Sequence, residues 1–167
     1  MNAMEKRILF VCMGNICRSP AAECVFHAKI KELGHKKKVL LDSAGTTAYH
    51  TGEAPDRRMQ EELRKRGIPV FGSARPVVAE DFQKFDLILA MDRSNLHDLR
   101  KRAPVEDHRA DIRLFGEFCQ KTPNEDIPDP YYGGRDGFVL VADRLEDGCE
   151  GLWQYLCESL EKEEDSP

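Results

Sequence analysis

Cys12 and Arg18 are separated by five residues in the run Cys12-Met13-Gly14-Asn15-Ile16-Cys17-Arg18-Ser19-Pro20. Both residue types point to one chemistry. A thiolate is a strong nucleophile, and the planar guanidinium fork matches two oxygens of a tetrahedral oxyanion. What surrounds the pair supports that reading. Ile8-Leu9-Phe10-Val11 is uncharged, β-branched and aromatic, the pattern of a short buried strand. Gly14 and Asn15 tolerate the positive φ of a tight loop, Ser19 suits a helix N-cap, and Pro20 suits the first helical position. Cys12 is thus expected at the end of a strand, with a loop running into a helix N-terminus. Such a loop can gather its amides on one point, and the helix dipole adds partial positive charge there. The site would favour a thiolate over a thiol and would cradle an oxyanion beside it. The chemistry implied is nucleophilic attack on a phosphate ester. Cys12 would attack, while Arg18 and the amides of Met13, Gly14, Asn15, Ile16 and Cys17 bind the phosphoryl oxygens. The plainer alternative is a buried structural cysteine beside a surface arginine, but it leaves the coincidence of strand, loop, arginine, cap and helix unexplained.

A phosphate ester also needs a proton donor for its leaving oxygen. Thr122 to Gly137 is rich in Pro, Gly and Asp and reads as a long surface loop, a length often tied to function. Within it, Asp129 lies between Pro128 and Pro130, ahead of Tyr131 and Tyr132. Two prolines restrict the backbone on both sides and aim the carboxylate with little entropy left to lose. On residue types alone an Asp-Pro pair is also an ordinary turn, and Asp126 is a nearby competitor for the acid role.

The elements that must hold these residues alternate. Helices are predicted over Ser19–Leu33 (stopped by Gly34), Pro55–Arg66 (stopped by Gly67), as a single turn over Val77–Phe82, from Ser94 to Arg102, and over Phe138–Glu161. Strands are predicted at Ile8–Val11, Val39–Leu41, Leu87–Met91 and Ile112–Phe115. Leu87-Ile88-Leu89-Ala90-Met91 is a continuous apolar run, suited to a parallel strand covered on both faces. Asp92 closes it and reads as a turn or capping carboxylate. In the last helix Phe138, Val141, Ala142, Leu145, Cys149, Leu152, Trp153, Leu156 and Leu160 form a core stripe, which Gly148 and Gly151 are expected to weaken or bend. The alternation predicts a three-layer α/β domain over residues 1–167, a parallel sheet with helices on both faces, and a site at the carboxyl end of the first strand. Residues 1–5 and 162–167 are expected to fray.

Composition excludes several classes. The chain has 167 residues and a net charge of −5, which argues against nucleic acid or an acidic membrane surface as partner. The run Lys36-Lys37-Lys38 reads as a solvated turn. No apolar stretch reaches a membrane span, and no signal segment precedes the first strand. The six cysteines therefore suit a reducing cytoplasm better than a disulfide framework. Neither they nor the five histidines show metal-ligand spacing, so no metal and no cofactor are expected.

Cys12 to Glu23 resembles the phosphate-binding loop of the low-molecular-weight protein tyrosine phosphatases. Asp42-Ser43-Ala44-Gly45-Thr46, Leu89 to Leu96, and Asp129-Pro130-Tyr131-Tyr132-Gly133-Gly134 match the same family in order and spacing. The resemblance implies a four-stranded sheet in order 2-1-3-4, a phosphocysteine intermediate, and Asp129 as general acid and base. Ser19 is then expected to donate to the thiolate, a role that competes with its use as a helix cap, and Asn15 to hold the loop in its strained turn. Tyr49 and His50 would stand on the cleft rim, and Tyr49, Tyr131 and Tyr132 would wall it for a long flat leaving group. The substrate implied is a phosphotyrosine-containing protein, with inorganic phosphate as product and inhibitor. Ile16 and the paired tyrosines favour phosphotyrosine over phosphoarginine, for which members of the family tend to carry threonine at the position of Ile16. One departure is Gly72, where many members carry a histidine bonded to the loop asparagine. Cys17 has two readings, a reversible disulfide partner that shields Cys12 or a small packed residue. Two rivals use the same loop. A thiol-dependent arsenate reductase needs a cysteine relay, for which Cys149 and Cys157 are the only close pair. A non-catalytic phosphate-binding module has no need of the cysteine, the arginine and the acid together.

Overall fold

The computed structural model describes residues 5–33, 38–105 and 108–166. Four strands, β1 (Glu5–Cys12), β2 (Lys38–Gly45), β3 (Leu87–Ala90) and β4 (Asp111–Leu114), form one parallel sheet in order β2-β1-β3-β4. Between and after them run α1 (Arg18–Leu33), α2 (Arg57–Lys65), the short α3 (Asp81–Lys84), α4 (Arg93–Arg102), a 3-10 turn (Phe115–Phe118) and α5 (Arg135–Glu164).

Strand alternation divides the core. Ile8, Phe10 and Cys12 point to one face of β1, where α1, α2 and α5 bury Phe26, Met59, Leu63, Phe138, Leu145 and Leu152 against them. Leu9 and Val11 point to the other, with Phe82, Phe85 and Leu99 from the segments around α3 and α4. The side chains of Ile8 to Val11 and Ile88 to Ala90 are wholly buried, as central strands covered by helices on both faces require. The parity that buries Ile8 and Phe10 also turns Cys12 toward the N-terminus of α1.

Register brings the loops together above the sheet. Cys12 pairs with Gly45 at the carboxyl ends of β1 and β2, and Val11 pairs with Ala90 at the end of β3. Gly45 is required there, because a Cβ would come within 2.7 Å of the Met13 carbonyl oxygen.

Several expectations are corrected. The helix after the cysteine loop begins at Arg18, so Ser19 and Pro20 lie inside its first turn and Ser19 is not its cap. The long loop ends at Gly134, and α5 begins three residues earlier than the apolar stripe indicated. Gly148 and Gly151 do not break α5. They let the 3-10 turn lie directly on it: the ring of Phe115 fills the Cβ position of Gly148, and the Phe118 carbonyl oxygen stands 1.9 Å from that of Gly151. Asp81 and Lys84, not Val77, bound the short helix. Glu5 pairs with Lys38 in the sheet, and α5 runs on to Glu164. Gly34, Lys36 and Lys37, with the predicted helix stop and most of the lysine run, lie outside the described residues, as do residues 1–4.

Candidate active site

The loop from Cys12 to Arg18 has its carbonyls turned outward. Thr46 N–H donates to the Cys12 carbonyl (2.9 Å), Thr47 N–H to that of Met13 (3.0 Å), Asp56 N–H to that of Ile16 (2.7 Å) and Ala21 N–H to that of Cys17 (3.2 Å). No backbone N–H of residues 13–18 donates to a protein group among the described residues. A loop with four carbonyls engaged elsewhere and with its amides unclaimed is an anion receptor. Asn15 makes the turn possible by adopting φ 56, which asparagine tolerates better than most residues.

Beneath the loop, Asn15 Nδ2 donates to Ser19 Oγ at 2.8 Å and to Ser43 Oγ at 3.0 Å, while Arg75 N–H donates to Asn15 Oδ1 at 3.0 Å. Ser19 Oγ lies 3.0 Å from Cys12 Sγ, with the Ala44 carbonyl as a more distant acceptor at 3.4 Å. Freed from capping, the Ser19 hydroxyl stands within hydrogen-bond reach of the sulfur. These bonds also answer the question raised by Gly72. Asn15 is held by two serines and a backbone amide, and no side chain at position 72 takes part.

Arg18 is 2 % exposed. Its Nη1 donates to Asp92 Oδ2 at 2.6 Å and to the Ile127 carbonyl at 2.9 Å, which uses both Nη1 hydrogens. Nε and Nη2 remain for an oxyanion. Burial opposes the Arg18 charge, but Cys12, Asp92 and Asp129 outweigh it and hold its pKa above the ordinary arginine value. Asp92 does cap α4, accepting from Asn95 N–H at 2.8 Å. Its second oxygen clamps Arg18, a role invisible in the sequence because the two residues are 74 positions apart.

Asp129 lines the same cavity as Cys12. Its Oδ2 lies 3.5 Å from Arg18 Nη2, and its Oδ1 accepts from Tyr131 N–H at 3.1 Å. The competitor Asp126 is turned away and paired with Arg93 at 2.7 Å. Cys12, Met13, Gly14, Ile16, Cys17, Arg18, His50, Asp129, Tyr131 and Tyr132 line a cavity of about 50 Å³. That exceeds the roughly 30 Å³ share of a single water and suits a small tetrahedral anion. A larger cavity of about 670 Å³ between α1 and α5 contains neither Cys12 nor Asp129.

Among the predicted wall residues, Tyr131 and Tyr132 stand together with ring centroids 4.9 Å apart and planes at 84°. Tyr49 does not join them. It is 85 % exposed and outside the cavity lining. The turn at Ala48–Thr51 sends it to solvent and His50 inward. His50 Nδ1 is 2.7 Å from Glu53 Oε2, its ring lies over Gly14, and its centroid is 6.1 Å from that of Tyr131. Arg58, which the sequence marked only as part of a helix start, donates to the Tyr131 carbonyl at 3.1 Å and sets its guanidinium 5.6 Å from the ring centroid. Asn15 and Ser19 lie below the cavity and act on it through their hydrogen bonds. Burial pushes the Cys17 thiol up, as do Asp56 and Cys12, although Cys17 lines the same cavity. No group of three or more His, Cys, Asp or Glu side chains gathers as a metal site among the described residues. Nor is any of their helices long and apolar enough to cross a membrane.

A parallel α/β sheet whose first strand ends in a cysteine, followed by a loop of unclaimed amides, an arginine and a facing aspartate, is the architecture of the cysteine-dependent phosphatases. Known proteins narrow the class. The model of the family described as "Low molecular weight phosphotyrosine protein phosphatase" matches residues 7–166. The low molecular weight phosphotyrosine protein phosphatase of Schizosaccharomyces pombe is 45% identical over 133 residues, covering 79% of this chain and 85% of that protein. The low molecular weight protein-tyrosine-phosphatase of Streptomyces coelicolor is 40% identical over 160 residues, covering 95% and 98%. The crystal structure of a protein tyrosine phosphatase from Entamoeba histolytica superimposes with a TM-score of 0.87 at 45% identity, covering 92% of this chain and 98% of that one. The chain belongs to the low molecular weight phosphotyrosine protein phosphatase family, hydrolases that act on phosphotyrosine.

Proposed function

We propose that the protein hydrolyses phosphotyrosine in protein substrates, and small aryl phosphates, in two steps at Cys12. In the first, the Cys12 thiolate attacks phosphorus, an S–P bond forms and the P–O ester bond breaks. Asp129, entering as the carboxylic acid, gives its proton to the departing phenolate. In the second, water attacks phosphorus and loses a proton to the Asp129 carboxylate. The S–P bond breaks, and the thiolate departs onto the Ser19 hydroxyl. Nε and Nη2 of Arg18 and the amides of residues 13–18 hold the equatorial oxygens through both transition states. The positive potential is supplied by the loop itself, so the scheme calls for no metal or cofactor.

The observation that carries this reading is the turned-out carbonyls of Cys12, Met13, Ile16 and Cys17 around a sulfur with Arg18 and Asp129 in the same cavity. The apolar rings of Tyr131 and Tyr132 at the mouth favour an aromatic leaving group. Product phosphate fits the same loop and is expected to inhibit competitively. The test is turnover of p-nitrophenyl phosphate and of a phosphotyrosyl peptide by wild type, Cys12→Ser and Asp129→Ala. The scheme requires no turnover by Cys12→Ser and a slow residual rate in Asp129→Ala. Full activity in Cys12→Ser would refute it.

A further inference from the structure

Arg58 joins the two loops that the two-step scheme requires to act together. Asp56 N–H donates to the Ile16 carbonyl at 2.7 Å, which fixes the residue ahead of α2 against the cysteine loop. The Asp56 carboxylate caps α2 by accepting from Arg58 N–H at 2.9 Å. The same carboxylate takes the fork of the Arg58 guanidinium, with Nε donating to Oδ1 at 3.1 Å and Nη2 to Oδ2 at 3.0 Å. The second Nη2 hydrogen goes to the Tyr131 carbonyl at 3.1 Å, and Tyr131 N–H donates to Asp129 Oδ1 at 3.1 Å. Every link from Ile16 to Asp129 is therefore a hydrogen bond or one residue's own covalent frame.

The turn that carries Asp129 has little else to hold it. Ile127 N–H donates to the Met91 carbonyl at 2.8 Å on one side, and α5 begins at Arg135 on the other. Pro128 and Pro130 have no N–H to give. The bond from Gly133 N–H to the Pro130 carbonyl, at 3.1 Å, is internal to the turn. Among the described residues, the hydrogen bond that reaches the backbone of residues 128–133 from another element is the one from Arg58. Arg58 is itself held by two rings. Its guanidinium carbon lies 4.5 Å from the ring centroid of the buried Phe138 and 5.6 Å from that of Tyr131, both within cation–π range. Burial opposes the Asp56 charge, but the hydrogen bonds from Arg58 outweigh it and hold the Asp56 pKa below the ordinary carboxylate value, so the pair stays ionised at neutral pH.

We propose that Arg58 is a positioning residue of the phosphatase reaction, tying the Asp129 turn to the cysteine loop so that the acid is held within reach of the leaving oxygen. This deepens the two-step scheme and rests on its reading of Asp129 as general acid. The role needs geometry as well as charge. A planar guanidinium gives two hydrogens to one carboxylate and a third to a carbonyl while packing on a ring, whereas a lysine ammonium is a point donor on a flexible stem. Arg58 does not line the cavity. Its loss therefore acts on proton transfer through Tyr131 and Asp129 and leaves the phosphate cradle as it is.

The test is kcat/KM on phenyl phosphate and on p-nitrophenyl phosphate for wild type, Arg58→Met, Arg58→Lys, Asp129→Ala and the double variant Arg58→Met with Asp129→Ala, together with inhibition by inorganic phosphate. Phenolate needs a proton to leave and p-nitrophenolate needs little, so a misplaced acid shows on the first substrate. Arg58→Met is expected to lose about tenfold on phenyl phosphate and less than about threefold on p-nitrophenyl phosphate, with phosphate inhibition unchanged. The ratio of the two rates on one preparation is insensitive to any unfolded fraction. Arg58→Lys keeps the charge without the fork and is expected to fall with Arg58→Met. In the Asp129→Ala background, Arg58→Met should lower the rates little further. Equal losses on both substrates, weakened phosphate inhibition, full activity in Arg58→Lys, or losses that add to those of Asp129→Ala would overturn the proposal. A loss confined to phenyl phosphate in Asp129→Ala but absent in Arg58→Met overturns this proposal alone. Its absence in Asp129→Ala removes the general acid and overturns both readings.

Discussion

Replacing Glu23 by glutamine should stabilise the protein at alkaline pH and leave it unchanged at acid pH. The Glu23 carboxyl has an ordinary pKa of 4.5 and is raised to about 7 in the fold, chiefly by burial. A carboxyl whose pKa is raised binds more protons in the native than in the unfolded chain between those two values. Stability then falls as pH rises from 4.5 to about 7 and stays reduced above it. At about 1.36 kcal/mol per pH unit, the ionised carboxylate destabilises the native state by about 3 kcal/mol at pH 8. That is a large share of the roughly 5–15 kcal/mol that holds a domain together. Glutamine keeps the shape of the side chain without the charge. Thermal unfolding of both proteins should show equal midpoints near pH 4.5 and a glutamine advantage growing to roughly 6–12 °C at pH 8. A difference independent of pH, or a glutamine variant less stable at pH 8, would refute the reasoning.

Three further outcomes are expected. Asp129→Ala should lose roughly 10²–10⁴-fold in kcat/KM on phenyl phosphate and much less on p-nitrophenyl phosphate, whose leaving group needs little protonation; equal losses on both would remove Asp129 from the acid role. Asp92→Asn keeps an oxygen for Asn95 N–H, so α4 stays capped, but it removes the charge that holds Arg18. The unfolding midpoint should hardly move while kcat/KM falls roughly 10–100-fold, measured by parallel calorimetry and kinetics. Gly151→Ala would gain about 1 kcal/mol in an exposed helix, but here the Cβ would meet the Phe118 carbonyl oxygen at 1.9 Å. The strain should win, with a net loss of about 1–3 kcal/mol in urea unfolding.

The nucleophile loop was legible from the sequence because its geometry is local. Strand end, glycine, asparagine, arginine and helix start all fall within Ile8–Pro20, and short-range backbone preferences decide how such a segment turns. The alternation of apolar runs likewise determined a parallel sheet with helices on both faces, since burial on two sides leaves an unmistakable pattern in Leu87–Met91. Asp129 was singled out by its two prolines, but only the fold sets it 3.5 Å from Arg18 and turns Asp126 away to Arg93. Tyr49 and His50 show the limit most plainly. Neighbours in sequence, both candidates for the rim, they are sorted by one turn and by the contact of His50 with Gly14, which sends the tyrosine to solvent. The partners that position the site were hidden for the same reason. Asp92 reaches Arg18 across 74 positions and Ser43 reaches Asn15 across 28. Such pairings depend on strand register and crossover, which bring chain-distant polar groups to one sheet end. Local propensity carries no record of which buried donor will meet which acceptor.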